Sequence, residues 1–365
     1  MRVVFFGTYD ARLHPRVDVL MQGFASAGDE VVECNEPLGL DTSSRVRILQ
    51  RPWLLPVLVT RIARAWWRLS RRARRLARPD AVVVGYMGHF DVHLGRRLWP
   101  GVPLALDHLI FAADTAADRG IEPGLRIRLL SRLDRAALGA ADVLCVDTHD
   151  HWELIPPDVR KRAVVVPVGA RSEWFRVPEG RPVPPLRVVF FGLYTPLQGA
   201  PVIGEAIALL TDRATSVTFT MIGRGQDYAA TREAAGPTPD VRWLDWVDAA
   251  ELPDFVAAHD VCLGIFGTGP KARRVVPTKV FQGAAAGCAI VTSDTGPQRR
   301  ALGSAGVFIP AGDGAALATA LVELAGDAGR LSELRHEAHQ RANQAFRPGT
   351  VVAGLRERLL AGARS

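Results

Sequence analysis

The sequence has few of the features that mark membrane, secreted or redox proteins. Its apolar runs are shorter than the roughly 18 residues that a membrane-spanning helix needs, and its first residues read as a buried strand and turn rather than a signal peptide. The four cysteines have no Cys-x-x-Cys spacing, which favours small buried thiols over a metal or redox motif. These absences exclude collagen-like, disordered, integral-membrane and disulfide-rich classes, and we expect a cytoplasmic protein.

Lysine is scarce, although the chain is basic. The 45 basic residues include three lysines, Lys161, Lys271 and Lys279, and the formal net charge is +7. Residues 42–79 contain eleven arginines and no acidic residue, so the rest of the chain carries −4 (7 − 11). Because the basic charge is local and no RNA- or DNA-binding motif accompanies it, we expect no nucleic-acid partner.

The length of 365 residues, at about 150 per domain, favours two domains. Strand and helix patterns alternate, are interrupted by a stretch rich in proline and glycine, and then restart; the letters RVVFFG stand at both Arg2 and Arg187. This pattern predicts an α/β protein with two Rossmann-like, doubly wound domains facing a cleft, in which ligands bind beyond the carboxyl ends of the strands. The predicted bounds are 1–168 and 187–345 for the domains, 169–186 for a linker and 346–365 for a C-terminal helix.

Common cofactor motifs are missing. The chain has no Walker motif, no nucleophile elbow and no His-Glu-x-x-His. Gly223-Arg-Gly225 follows a predicted strand, but Tyr228 stands where the dinucleotide fingerprint needs its third glycine. The sequence therefore gives little support for a nicotinamide- or flavin-dependent enzyme or a P-loop protein.

Residues 275–287 have the features of a helix whose N-terminus binds an anion. Pro277 suits the first turn of a helix, where its missing N–H would be unpaired in any case. Free N–H groups and the helix dipole bind phosphate at such a start, and Lys279 would add a point charge. A chain that otherwise uses arginine retains lysine here, which favours this role over that of a solvated surface lysine.

These segments resemble those of GT-B-fold glycosyltransferases, and the C-terminal half resembles glycosyltransferase family 4. The resemblance rests on the turn GLYTPLQG at 192–199, the turn at Gly223 and the helix VPTKVFQ at 276–282. It implies retaining transfer of a sugar from a nucleotide diphosphate sugar, with a UDP-sugar favoured, to an acceptor hydroxyl. It also implies that no metal or cofactor is needed and that the C-terminal helix returns to the first domain.

By this resemblance the second domain binds the donor. Leu193 and Gln198 stand where family members commonly carry basic residues, and Arg274 and Gln282 replace an acidic pair. We expect Arg274 and Lys279 to supply the missing phosphate charge, and the Gln282 amide oxygen to accept from ribose hydroxyls. The predicted donor-binding residues are Gly192, Gln198, Gly199, Gly223, Gly225, Trp246, Arg274, Pro277, Lys279 and Gln282.

The first domain is predicted to bind the acceptor. Asp107 and His108 directly follow the predicted strand PLALD, in a region where a family histidine often contacts the donor sugar. Together with Lys279 they are the predicted catalytic residues. For each acceptor-side position the alternative is a capping or loop residue. The predicted acceptor-binding residues are Tyr9, Asp10, His14 and His89.

The arginine-rich segment predicts a basic amphipathic helix over 55–78, with Trp66 and Trp67 near its middle. Such a helix favours peripheral contact with anionic lipid and a lipid-linked or anionic glycan acceptor. The alternatives are a helix docked on its own sheet with a solvated face, and a soluble small-molecule acceptor such as a natural product. Its predicted apolar face consists of Leu55, Val59, Ile62, Trp66, Leu69, Ala73 and Leu76.

Two other function classes stay open. A nucleotide-sugar 2-epimerase has the same architecture but needs acids placed for proton abstraction, and the donor half offers few. A catalytically inactive nucleotide-binding partner is favoured by the departures at Leu193, Gln198, Arg274 and Gln282.

Overall fold

The computed structural model divides the chain into two compact units. Unit 1 consists of Met1–Pro167 and Pro348–Ser365, and unit 2 consists of Val168–Arg347. The described residues are 1–10, 15–39, 55–109, 111–112, 124–178, 180, 182–212 and 216–362.

Unit 1 is built on a parallel six-stranded sheet with the strand order β2-β1-β3-β4-β5-β6. Its central strands are apolar on both faces because helices cover both sides of a parallel sheet. The strands are β1 Arg2–Gly7, β2 Glu30–Asn35, β3 Ala81–Val84, β4 Leu104–Asp107, β5 Val143–Val146 and β6 Ala163–Val165. The helices are α1 Arg16–Ser26, α2 Leu55–Ala73, α3 Asp91–Leu98, α4 Leu125–Ala140, α5 His149–Leu154 and α6 Pro157–Arg160.

Unit 2 has the same kind of sheet, with the strand order β12-β11-β10-β7-β8-β9, and every strand pair is parallel. The strands are β7 Leu186–Phe191, β8 Val217–Ile222, β9 Val241–Leu244, β10 Val261–Leu263, β11 Ala289–Ser293 and β12 Gly306–Ile309. The helices are α7 Ala200–Asp212, α8 Tyr228–Ala235, α9 Leu252–Ala257, α10 Thr278–Ala285, α11 Gly296–Leu302, α12 Gly314–Gly326 and α13 Ala328–Ala345. The predicted fold class, two doubly wound parallel sheets, is confirmed.

The described part of 169–186, where composition predicts a linker, belongs to unit 2. A 3-10 turn at Ser172–Trp174 buries the Trp174 indole, which stacks on Phe191 with ring centroids 5.8 Å apart. Proline and glycine content alone does not reveal that one large aromatic anchors the segment to a domain. Among the described residues, no helix is both long enough and apolar enough to cross a bilayer.

The last helix, α14 Pro348–Gly362, packs in unit 1 against α1. Its buried residues Val352 and Leu355 share a core with Leu20 and Phe24 of α1. The two helices touch closely at Gly23, where a side chain would meet the Pro348 carbonyl oxygen and lie 2.6 Å from a methyl group of Val352. Glycine at this position is therefore what permits the contact.

Replacing Gly23 with alanine is expected to destabilise unit 1 by about 1–3 kcal/mol, because the added methyl group overpacks the α1–α14 contact. Thermal unfolding measures the change. Gly139→Ala is the matched control, since Gly139 lies in α4 and nothing stands within 4 Å of the position of its added methyl group. The control should keep or raise the melting temperature. Equal melting temperatures for the two variants would contradict the close packing.

Candidate functional site

The turn after β7 is shaped by glycines. Gly192 has φ +135°, and Gly199, with φ +60°, closes the 3-10 turn Pro196–Gln198 before α7 begins. A side chain at Gly223 would collide with the Gly192 carbonyl oxygen, and one at Gly225 would lie 2.6 Å from the Tyr194 amide nitrogen. The two predicted glycine turns thus lie against each other, at the carboxyl ends of neighbouring strands.

The loop after β10 packs on the same turn. The Phe266 N–H donates to the Gln198 carbonyl oxygen at 2.9 Å. A side chain at Gly267 would lie 2.5 Å from the Leu197 carbonyl oxygen, and one at Gly199 would collide with the backbone at Gly267. Backbone approach this close requires glycine on both sides, and it fixes the position from which the Gln198 side chain projects.

Lys279 brings a cation to this turn from 81 residues further along the chain. It lies in the first turn of α10, and its Nζ donates to Gln198 Oε1 at 2.6 Å. The ammonium also stands 3.5 Å from the centroid of the Phe190 ring, and the residue is 5% exposed. A side chain at Gly192 would lie 3.4 Å from Nζ. The structure therefore places a positive charge where the sequence has an uncharged Gln198.

Burial makes this charge responsive to a ligand. Desolvation lowers the pKa of Lys279 to about 7, and the neighbouring Cys262 acts in the opposite direction. An anion bound at the turn would favour the charged form and reverse part of this shift.

The other predicted donor residues lie in unit 2 with different surroundings. Pro277 directly precedes α10, and Gln282 lies one turn beyond Lys279 on the same helix, with its side chain 8% exposed. The Arg274 guanidinium donates to the Pro270 carbonyl oxygen at 3.1 Å. Trp246, just beyond β9, is 75% exposed.

In unit 1, Asp107 ends β4 and is held by an arginine that the sequence analysis did not identify. The Arg16 Nε–H contacts both carboxylate oxygens of Asp107, at 2.8 and 2.9 Å, and Nη1 donates to the Pro167 carbonyl oxygen at 3.0 Å. Both partners of this ion pair are buried, at 2% and 1% exposure. This buried ion pair supports a structural role for Asp107, in fixing the end of the strand, more than a role in proton transfer.

His108 is the next residue, and its imidazole is buried. Among the described residues, neither ring nitrogen has a hydrogen-bond partner. The ring packs edge-on against Phe111 and His89, with centroid separations of 4.5 and 5.0 Å. Burial lowers the pKa of His108 to about 3, and the neighbouring His89 acts in the same direction. The ring is therefore neutral at physiological pH.

His89 reaches the same edge from the turn after β3. Its Nε2 lies 2.9 Å from Asp134 Oδ1, and the same carboxylate oxygen accepts the Ala112 N–H at 3.0 Å. Although burial alone raises it, these hydrogen bonds hold the pKa of Asp134 below its ordinary value. Asp134 lies on α4 and was not predicted from the sequence. No local pattern distinguishes it from other helical acids.

A second histidine–carboxylate pair lies beside the first. His151 Nδ1 is 2.5 Å from Asp147 Oδ1, and the Phe111 ring centroid is 5.8 Å from that of His151. The sequence analysis missed this pair, although Asp147 directly follows β5 as Asp107 ends β4. The signal at the strand end that identified Asp107 could have identified Asp147.

The remaining acceptor-side predictions have different outcomes. The Tyr9 ring is buried, and its hydroxyl donates to Glu33 Oε1 at 2.9 Å. The Tyr9 side chain is therefore already engaged within unit 1. Asp10 is half-buried at the end of the first described range. His14 lies outside the described residues. Beside Tyr9, the Thr8 N–H and hydroxyl both donate to Asp91 Oδ2, at 2.7 and 2.8 Å.

The arginine-rich helix α2 is connected to this edge. Trp66 Nε1 donates to the other oxygen of Asp91 at 2.8 Å. The buried stripe of α2 runs through Ala65, Leu69 and Ala73, at steps of four. Val59 lies outside this buried stripe and is 62% exposed. The Leu55 side chain lies outside the described part of the chain.

Apolar side chains stand exposed among the arginines of α2. Val57, Val59 and Trp67 are 52%, 62% and 59% exposed. The Arg71 guanidinium lies 4.8 Å from the Trp67 ring centroid, and Arg68 pairs with Glu36 at 2.5 Å. The outer surface of the helix thus combines positive charge with apolar side chains.

Comparison with known proteins gives matches over part and over all of the chain. Residues 185–327 match the family model described as Glycosyl transferases group 1. The phosphatidyl-myo-inositol mannosyltransferase of Mycobacterium leprae is 33% identical over 140 residues, which is 38% of this chain and 36% of the relative. That of Mycolicibacterium smegmatis is 30% identical over 152 residues, 41% and 38% of the two chains. This chain therefore aligns with little more than a third of the length of these relatives.

Solved structures match the whole chain at low identity. Sucrose-phosphate synthase from Thermosynechococcus elongatus has a TM-score of 0.73 at 15% identity and 99% coverage of both chains. Anabaena HepE in complex with UDP and glucose has a TM-score of 0.69 at 14% identity, with 99% and 100% coverage. At these identities the likeness establishes the fold.

Proposed function

We propose that this chain is an enzyme that transfers a sugar. It has the GT-B glycosyltransferase fold, and its residues 185–327 match the family model described as Glycosyl transferases group 1. It moves a sugar from a nucleotide diphosphate sugar to an acceptor hydroxyl, with retention of anomeric configuration and with a UDP-sugar as the favoured donor. The observation that carries this proposal is the Lys279 ammonium held on the Gln198 turn at 2.6 Å.

The chemistry needs a stabilised leaving group more than a strong nucleophile. When the sugar departs, negative charge grows on the β-phosphate, and fixed donors and cations in a dry site stabilise it. Lys279 is buried at the start of α10, where backbone N–H groups and the helix dipole also favour an anion. The ammonium thus supplies positive charge to a turn whose Gln198 side chain carries none.

In this proposal, other residues keep the roles that the resemblance to glycosyltransferase family 4 implies. We assign the Gln282 amide to the ribose hydroxyls, Trp246 to the nucleobase and Arg274 to a second phosphate contact. In unit 1 we assign His108 to a sugar hydroxyl, since its neutral buried ring can both donate and accept. A uridine donor is supported by solved structures of the same fold in complex with UDP and with UDP-2-fluoro glucose.

A thermal-shift panel of UDP, GDP, ADP and dTDP, each with its glucose or mannose conjugate, tests donor binding. A ligand at 100 times its Kd adds about 2.7 kcal/mol of stability, which is a shift of a few degrees. The stabilising sugar nucleotide is then incubated with candidate acceptors, and NMR reads the anomeric configuration of the product. Binding with neither transfer nor donor hydrolysis would support the inactive-partner function instead. A free epimerised sugar nucleotide would support the 2-epimerase.

Binding of a diphosphate should depend on pH because Lys279 is half neutral near pH 7. An anion raises the pKa of the lysine, so binding above pH 7 takes up a proton and UDP affinity falls as pH rises, by up to tenfold per unit. Isothermal titration at pH 7.5, 8.25 and 9.0 measures the fall. Uridine, which has no phosphate, and the Lys279→Arg variant, which stays charged, should show flat profiles. An equally flat UDP profile for the unaltered chain would contradict the assignment.

We further propose that the acceptor is lipid-linked and that α2 rests on an anionic membrane surface. Exposed Val57, Val59 and Trp67 would enter the interface, while arginines on the same helix meet lipid phosphates. Each basic residue near such a surface contributes about 1 kcal/mol. The mannosyltransferases that share part of this sequence are named for phosphatidyl-myo-inositol, a lipid, which supports the same acceptor class.

Co-sedimentation with vesicles checks the membrane proposal. The chain should bind vesicles with 30% anionic lipid at low salt and release them at high salt, because screening removes the attraction. Trp67→Ser is expected to weaken binding about tenfold. Trp246→Ser is the matched control, since Trp246 is a similarly exposed tryptophan in unit 2. Absence of binding at low salt would remove the lipid proposal and favour a soluble small-molecule acceptor.

A further inference from the structure

Three buried side chains with metal-binding atoms converge at the carboxyl edge of the unit 1 sheet. His89 comes from the turn after β3, His108 follows β4, and Asp134 lies on α4. One donor atom from each lies within 4.8 Å of the other two. The residues are 5%, 1% and 5% exposed. Separate elements of the fold therefore bring two imidazoles and a carboxylate into one small volume.

His108 is the part of this cluster that needs an explanation. Its ring is buried, and among the described residues neither nitrogen has a hydrogen-bond partner. A buried polar group without a partner costs free energy and requires an explanation. His89 Nε2 and Asp134 Oδ1 lie 2.9 Å apart beside this ring, and both atoms can ligate a metal ion. A cation would use all three of these groups as ligands.

We propose that His89, His108 and Asp134 form a site for a divalent transition metal ion, with Zn²⁺ as the preferred occupant. Two imidazole nitrogens and a carboxylate oxygen are a ligand set that zinc accepts, with bonds of about 2.0–2.2 Å. Tetrahedral bonds of that length place the donor atoms about 3.3 Å apart. His89 Nε2 and Asp134 Oδ1 already approach this closely, so binding of the ion requires the His108 ring nitrogen to move nearer to them.

The site would control access to His108. Three protein ligands leave a fourth position open, which can hold water or a hydroxyl group. Because His108 is also the residue that we assign to the sugar, metal and sugar would compete for its ring. The metal site itself does not depend on the proposed sugar transfer, since metal binding is measured without donor or acceptor.

Titration of the untagged, chelator-stripped full chain with Co²⁺ and Zn²⁺ tests the site. Co²⁺ should give the visible absorption bands of a four-coordinate ion at one equivalent, and Zn²⁺ should displace it. His108→Ala and the near-isosteric Asp134→Asn should each weaken binding at least tenfold. Circular dichroism confirms that the variants fold. His149→Ala is the matched control, because His149 is an exposed histidine of the same unit and should leave binding unchanged.

The opposite pattern would overturn the site. If no tight equivalent binds to the unaltered chain, the cluster is not a metal site. If Asp134→Asn binds the ion as tightly as the unaltered chain, or if His149→Ala abolishes binding, the ion lies on surface histidines instead. A failure of this kind leaves donor binding in unit 2 untouched, so it is distinguishable from a failure of the proposed function.

Discussion

Replacing Lys279 with methionine is expected to weaken UDP binding about 100-fold while changing uridine binding little. The substitution removes a buried cation but keeps most of the side-chain volume over Phe190, where the ammonium now lies. A factor of 100 corresponds to about 2.8 kcal/mol, which lies within the range for a charge-assisted hydrogen bond in a dry site. Transfer activity should fall at least as far, because charge on the leaving phosphate peaks in the transition state.

Isothermal titration of both ligands against both proteins measures this effect. Lys271→Met is the matched control, because Lys271 is another lysine of unit 2 and lies half-buried on the loop preceding α10. The control should bind UDP nearly as tightly as the unaltered chain. Equal losses for UDP and uridine would show that the substitution damages the site as a whole, and the phosphate role of Lys279 would be wrong.

Replacing Arg16 with methionine is expected to destabilise unit 1 by about 3–5 kcal/mol. The Asp107 carboxylate would stay buried with neither of its oxygens paired to a cation, and an uncompensated buried charge carries a cost of that size. The Pro167 carbonyl oxygen would also lose its Arg16 donor. Chemical unfolding measures the loss, and hydrogen exchange should localise it to the peptides of β1, β4 and α1.

The double variant Arg16→Met with Asp107→Leu separates charge from packing. Since an apolar pair of similar volume often replaces a buried ion pair at little cost, it should recover most of the lost stability. If the single variant unfolds at the same denaturant concentration as the unaltered chain, the ion pair contributes nothing. If the double variant is as unstable as the single one, packing around Arg16 rather than charge is responsible.

The fold was predictable because its signals are local. Strands such as β3 and β7 are short apolar runs bounded by glycine or polar turns, and the restart at Arg187 repeats the opening letters. The Trp174 anchor was not predictable, because whether one tryptophan packs on Phe191 depends on the folded surface that it meets.

The candidate site was predictable only where its residues lie at strand ends or in glycine turns. Asp107, His108 and the turns at Gly192 and Gly223 are of this kind. The hydrogen bond between Lys279 and Gln198 joins positions 81 residues apart, and no spacing rule yields it. Asp134 is likewise an ordinary helical acid until the tertiary fold brings it to His89.

The Asp91 carboxylate connects α2 to the end of β1 through hydrogen bonds. One oxygen holds Thr8 at the end of β1, and the other holds the Trp66 indole of α2. A displacement of α2 would therefore reach the end of β1 through this buried carboxylate as well as through the core that α2 shares with β1. If anionic lipid binds the outer surface of α2, as we propose, these contacts would hold the end of β1 at a fixed distance from the bilayer surface.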